Sequence, residues 1–343
     1  MARYEYKKTF EPAPLVDAGA GSSSKGYGDS QTRSRYHYGD DASGEDIVLA
    51  VNVALATHRP LLLRGAPGCG KSSLARDVAR VLERTYYEYT VTSRTAARDL
   101  CWQFDTVRRL SDAHSSDTER RTFVDTPARY VVPGPLWWAF DPASAALRGQ
   151  AAAEPVAGVS KLKDPGVDQK GSASKGAVLL IDEIDKAEPD VPNDLLVPLG
   201  SGTFSVDDLE MPPVQSTRPL LLLLTTNEER DLPPAFIRRC VVLELKRPTV
   251  DRAMRIARSR HPVSEIDDDE LRVLATRFEQ IASDAEQRAL RAPGTAEFLD
   301  AIAACIEMNV KSGSRTWEAA TNQAFWKHPE PATPFTSGSV EPG

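Results

Sequence analysis

Cysteine and histidine are scarce in this chain. The four cysteines, Cys69, Cys101, Cys240 and Cys305, stand far apart, with no CxxC pair and no histidine at metal-ligand spacing. That spacing excludes a zinc ribbon or a disulfide scaffold and points to reduced thiols in a cytosolic setting. Positive charge is not in excess either: 42 Lys and Arg face 49 Asp and Glu, a formal charge of −7, so no basic field draws the chain to nucleic acid or an anionic membrane. Long apolar runs are missing; the five leucines 220–224 fall far short of the ~20 residues of a bilayer span. The opening "MARYEYKKTFEPAP" lacks the apolar segment of a secretory leader. The expectation is a cytoplasmic protein without membrane insertion. What is present is 343 residues at 41% hydrophobic content, enough to bury the core of one large domain with an accessory one, or of two moderate ones.

Residues 1–40 are rich in Gly, Ser and Tyr without apolar periodicity, and 329–343 is a Pro/Gly/Ser tail; the first is expected to be flexible and the second disordered. Between them, short apolar runs recur at "PLLLRG" (60–65), "YYEYTVT" (86–92), "GAVLLID" (176–182), "PLLLLLTT" (219–226) and "CVVLELK" (240–246). Helical patterns separate them, among them "SSLARDVARVLERT" and "TAARDLCWQFDTVRRLSDA". Strands alternating with helices predict an α/β fold with a mostly parallel sheet. The core is expected over 41–248, with surface insertions at about 104–140 and 142–175. After Pro248 the pattern is helical only, which predicts a small helical domain over 249–328.

"GAPGCGKSS" (65–73) follows a predicted strand and opens a helix. In that context the GxxxxGK[ST] spacing describes a phosphate-binding loop, Gly65, Ala66, Pro67, Gly68, Cys69, Gly70, Lys71, Ser72 and Ser73. Its glycines let successive N–H groups turn inward, and the helix N-terminus adds its dipole. Lys71 would reach the β- and γ-phosphates, and Ser72 would offer a hydroxyl to Mg²⁺. Cys69 is read as a small turn residue. "VLLIDE" (178–183) is an apolar strand ending in two carboxylates. Asp182 would hold Mg²⁺ beside Ser72, and Glu183 would orient or deprotonate the water attacking the γ-phosphate.

Taken in order, the loop, "LLIDEIDKAEPDVPNDLL", "TTN" and "LPPAFIRRC" resemble the AAA+ ATPases. "YVVPGPLWWAF" (130–140) and "GTFSVDDLEMPP" (202–213) resemble segments of their MoxR-like branch, the second as a hairpin before the fourth strand. The resemblance spans about residues 36–310. It implies a five-stranded parallel core followed by a helical lid, Mg-ATP as substrate, and Asn227 as a sensor on a strand between the loop strand and the acidic strand. It also implies a head-to-tail homo-oligomeric ring, a hexamer, in which Arg239 or Arg238 reaches the γ-phosphate of the neighbouring subunit. The family's second sensor arginine aligns with Glu297, and Arg291 stands in the preceding turn as a substitute.

The function so implied is ATP hydrolysis between subunits, coupled to remodelling of a protein partner. That partner would be a separate chain, such as a von Willebrand A-domain protein, since "DASGE" (41–45) is not a DxSxS metal motif. The pair Trp137–Trp138 is either a client grip or core packing. A second reading is an ATP-dependent assembly switch or scaffold with slow turnover, for instance in a defence or signalling system. A nucleotide kinase and a GTP-driven restriction motor share the loop; the arginine pair and the charge balance weigh against them.

Overall fold

The computed structural model describes residues 6–13, 36–38, 42–150, 159–167, 175–261, 263 and 265–328; the tail 329–343 lies outside them. In chain order the elements are α1 (Ala42–Thr57), β1 (Leu61–Arg64), α2 (Lys71–Val81), β2 (Thr85–Thr90), α3 (Ala97–Cys101), β3 (Trp102–Phe104), α4 (Thr106–Ala113), α5 (Thr118–Thr122), β4 (Val131–Pro133), α6 (Pro135–Phe140) and α7 (Pro142–Ala146). There follow β5 (Ala177–Asp182), α8 (Asp190–Ser201), β6 (Thr203–Phe204), β7 (Val214–Gln215), β8 (Leu220–Thr226), α9 (Pro234–Ile237), β9 (Val241–Glu244) and the helices α10 (Val250–Arg258), α11 (Asp268–Gln287), α12 (Thr295–Glu307) and α13 (Arg315–Phe325). The described residues form two compact units: those within 6–12, 46–64 and 74–243 in one, and those within 13–45, 65–73 and 244–328 in the other.

The five apolar runs of the sequence are the five strands of one sheet, in the order β2-β5-β8-β1-β9. The pairs β2·β5, β5·β8 and β1·β8 are parallel. β5 and β8 are central and buried along nearly their whole length, which is why they read as continuous aliphatic runs without alternation. β8 crosses between β5 and β1, so Asp182, Thr226 and Arg64 end neighbouring strands along the carboxyl edge of the sheet. Open parallel sheets bind ligands at that edge, where the strand order reverses.

The stretch 95–113, read from its sequence as helical, is broken. α3 stops at Cys101, Trp102–Phe104 pair antiparallel with Val131–Pro133, and α4 starts again behind the Asp105 N-cap. Trp102 is buried and its indole N–H donates to Ser205 O (3.1 Å), a tertiary anchor that outweighs local helix propensity. The expected hairpin before the fourth strand is present as β6 and β7.

Within the stretches expected to be loose or inserted, several segments are packed. Phe10 is fully buried, and the Asn52 amide binds Thr9 N, Phe10 N and Phe10 O at 2.7–2.9 Å. Residues 159–167 dress the exposed edge of β2: Val167 exchanges two backbone hydrogen bonds with Tyr86, and Asp164 accepts from the Tyr87 hydroxyl at 2.9 Å. Covering an edge in this way blocks strand addition from another chain. Trp137 and Trp138 are both buried in the core, Trp137 edge-on to Phe204 with its N–H on Ser144 Oγ (3.2 Å). The client-grip reading of that pair is therefore replaced by packing.

The second unit packs α10–α13 around Phe278, Phe298, Trp317 and Phe325. Phe278 contacts both Phe298 and Phe325 at 5.1–5.6 Å between ring centroids. Among the described residues no helix is long and apolar enough to cross a membrane.

Candidate functional site

The loop 65–73 leaves β1 and turns into α2. Gly65, Gly68 and Gly70 have φ of 143°, 79° and 99°, a region open to glycine and costly for other residues. At Gly65 a side chain would also be blocked, since a Cβ there would stand 2.5 Å from Leu245 O. Lys71 is buried, and its ammonium folds back onto the carbonyls of Gly65 (2.6 Å) and Ala66 (3.2 Å). The chain thus forms a backbone cradle with a cation across it, a donor set suited to phosphate oxygens. Ser72 and Ser73 begin α2. Burial pushes the Cys69 thiol up, opposed by the charge of Lys71.

The N-terminus of α12 lies against this loop: Thr295 N donates to Gly68 O at 2.9 Å, and a Cβ on Gly294 would stand 2.6 Å from Pro67 O. Glu297 caps its own helix by accepting from Gly294 N (3.0 Å) and binds Arg291 Nη2 (3.1 Å). Arg291 is thereby tethered to the position where the resemblance expects an arginine. On the other side of the loop, Tyr36 approaches Gly70, while Arg252 donates to the Tyr36 hydroxyl (3.4 Å) and to His37 O (2.8 Å). Arg252 carries no sequence signal beyond its place on an amphipathic helix.

At the carboxyl edge of the sheet, Asp182 ends β5 and Glu183 follows it. Thr225 links them, donating its hydroxyl to Asp182 Oδ1 and accepting from Glu183 N at 2.8 Å. Glu183 sits at φ 60°, just past the end of β5, an unusual conformation for a non-glycine residue and one found at functional sites. Its carboxylate receives Asn227 Nδ2 at 3.3 Å and Lys186 Nζ at 2.7 Å. Hydrogen bonding to Glu183 holds the Lys186 ammonium above the ordinary lysine value. Asp185 is almost fully buried and accepts the backbone N–H groups of Asn227 (3.2 Å) and Glu229 (3.0 Å), so it pins the turn that carries the sensor. Lys186 and Asp185 were not singled out from the sequence, although both lie in the quoted "DEIDK".

Arg238 and Arg239 follow α9, whose Phe236 is fully buried as an anchor. Both arginines are exposed. Neither makes an ion pair among the described residues; Arg239 reaches only Ala235 O at 3.4 Å.

The donors present fit the groups the sequence implies. The glycine cradle and Lys71 suit a triphosphate, and a serine hydroxyl such as that of Ser72 and a carboxylate such as that of Asp182 are each of the hard oxygen type that Mg²⁺ takes. The metal would supply charge neutralisation at the phosphates.

Two solved structures are similar in fold at low identity. One is a point mutant of RuvB from Thermotoga maritima, 15% identical with a TM-score of 0.39, covering 78% of this chain and 70% of that one. The other is the Thermotoga maritima RuvB Holliday junction branch migration motor, 16% identical with a TM-score of 0.38, covering 79% and 69%. No curated protein matches the chain. The profile of the AAA domain, dynein-related subfamily, matches residues 60–240, more than half of the chain, and the protein belongs to that family of P-loop ATPases.

Proposed function

We propose that the protein is a MoxR-like AAA+ ATPase that hydrolyses Mg-ATP between the subunits of a homo-oligomeric ring, a hexamer, and uses the energy to remodel a protein partner in the cytoplasm. The observation that carries this reading is the contact of Asn227 Nδ2 with Glu183 Oε1 in a chain with a complete phosphate loop. That contact places a neutral donor on the carboxylate that must handle a water molecule, the arrangement of a base and its positioning group. Gly65, Ala66, Pro67, Gly68, Cys69, Gly70, Lys71, Ser72 and Ser73 would bind the phosphates, and Ser72 and Asp182 the Mg²⁺. Arg239, or Arg238 beside it, would act on the neighbour's γ-phosphate; their exposure and lack of an acidic partner among the described residues support that role. A head-to-tail contact of this kind, repeated, gives a ring or a helix and not a two-fold dimer. The quoted "PGPL" segment and the hairpin 202–213 favour the MoxR-like branch, and with it a separate von Willebrand A-domain protein as partner. The test compares Lys71→Ala and Glu183→Gln with the wild type. Glu183→Gln should keep ATP binding and lose about 10²–10⁴ in kcat, and Lys71→Ala should lose binding. Wild-type turnover by Glu183→Gln would refute the assignment.

A second reading, an ATP-driven assembly switch with slow turnover, is favoured by the 2.7 Å ion pair between Lys186 and Glu183, which occupies one oxygen of the carboxylate proposed as base. On that reading Lys186→Met raises the basal rate severalfold without changing KM. An unchanged or lower rate would speak for the motor.

A further inference from the structure

Outside the loop and the acidic strand, α4, α5 and the turn before β4 border an open cavity of about 550 Å³ lined by Asp105, Arg108, Ser111, Asp112, Arg120 and Arg129. Its size falls within the range of small-molecule sites, roughly 300–1,000 Å³, but its lining is charged where such sites are usually apolar. Two of the three lining arginines have acidic partners: Arg129 pairs with Asp112 (3.4 Å), and Arg120 with Asp117 (3.6 Å). Asp112 also accepts from the buried Tyr130 hydroxyl at 3.1 Å. Asp105 is engaged in capping α4 through Arg108 N (2.9 Å), where the helix dipole offsets its charge.

Arg108 is left without a carboxylate among the described residues. Outside the lining, Arg148 is 6% exposed, donates to Ser160 O at 2.9 Å, and has no hydrogen-bond partner for its Nε among the described residues. Its environment depresses its pKa, through burial first and then through the charges of Arg108 and Arg129. A buried cation beside like charges is unfavourable unless an anion completes the group. The Arg129 guanidinium carbon lies 4.6 Å from the Phe123 ring centroid, a cation–π contact that helps hold it in place.

We propose that this cavity binds a small molecule carrying a phosphomonoester, with Arg108, Arg120 and Arg129 around the phosphoryl group. The charge count favours this ligand. Arg108 has no carboxylate among the described residues, the lining holds three guanidiniums against two carboxylates, and a phosphomonoester carries about −1.5 to −2 at neutral pH. Guanidinium forks match its oxygens in pairs. The cavity exceeds the volume of one phosphate, so the rest of the molecule fits beside Ser111 and the exposed Val107. Its lining shares no residue with the phosphate loop.

The test uses the full chain carrying Lys71→Ala, which weakens the phosphate loop, and phenyl phosphate as the probe in a calorimetric titration. Saturable binding is expected. Arg108→Ser should weaken it by at least about tenfold, the scale of a lost charge-assisted hydrogen bond. Arg108 is exposed, so its replacement should leave the fold intact. Arg121→Ser, which removes an arginine of α5 outside the lining, should leave affinity within about twofold, since an exposed charge contributes little. Phenyl sulfate, a monoanion, should bind more weakly. The proposal is overturned if millimolar phenyl phosphate does not bind, if Arg108→Ser has no effect, or if Arg121→Ser costs as much as Arg108→Ser. Tighter binding of inorganic phosphate than of the ester would also overturn it, by removing the organic ligand.

Discussion

Asn227 Nδ2 lies 3.3 Å from Glu183 Oε1, joining residues 44 apart in sequence across the ends of two adjacent strands. The backbone of Asn227 is fixed by the buried Asp185, and that of Glu183 by the Thr225 hydroxyl. Both partners are therefore held before any nucleotide arrives. Preorganised donors of this kind are worth about 10²–10³ in rate. Asn227→Ala is expected to lower kcat by about 10²-fold while ATP affinity, measured by titration in the absence of turnover, stays within about threefold, because the change touches a transition-state contact and not ground-state binding. A large loss of affinity with unchanged kcat would move Asn227 out of the hydrolytic role.

The arginines after α9 make a prediction about mixtures. Arg239→Ala should lose about 10³-fold or more in rate if its guanidinium serves a neighbour. The Lys71→Ala chain should be inactive for a different reason. Mixed together, the two should recover measurable ATPase, since an Arg239→Ala subunit with an intact loop then meets an arginine from its neighbour. No recovery would send the same experiment to Arg238.

Trp137 offers a test of packing against binding. It is fully buried, with its N–H satisfied by Ser144. Trp137→Ala should cost about 3–5 kcal/mol of stability in urea denaturation. A variant with wild-type stability would contradict the buried assignment.

Cys69 lies in the phosphate loop and invites a redox role, but burial raises its thiol. A raised pKa leaves less thiolate at any pH below it, and the thiolate is the reactive form. Alkylation of Cys69 by iodoacetamide near neutral pH should run slower than that of a free cysteine and quicken as pH rises through the raised value. Cys69→Ser should retain nucleotide binding. Labelling faster than free cysteine would indicate an activated thiol.

Much of this fold was legible because its central strands are buried on both sides. The leucines of β1 and β8 and the run ending at Asp182 had to be aliphatic, and the GxxxxGK[ST] spacing is demanded by the turn it makes. Tertiary anchors were less legible. The break at Cys101 depends on Trp102 reaching Ser205, and the docking of 159–167 on β2 depends on an edge that only the assembled sheet creates. Within the candidate site, Glu183, Asn227 and the loop stand out by type and position. Lys186 and Asp185 look like ordinary surface charges of a turn until the strand ends converge. The cavity beside α4 was invisible, because Arg108, Arg120 and Arg129 are spread along an ordinary charged stretch.

The central claim is that hydrolysis needs a second subunit. The most direct measurement is ATPase rate per subunit against protein concentration, with mass determined in parallel with and without ATP. The account predicts a specific activity that rises with concentration and saturates together with a ring-sized mass in ATP. A rate independent of concentration, from a species that stays monomeric in ATP, would contradict it.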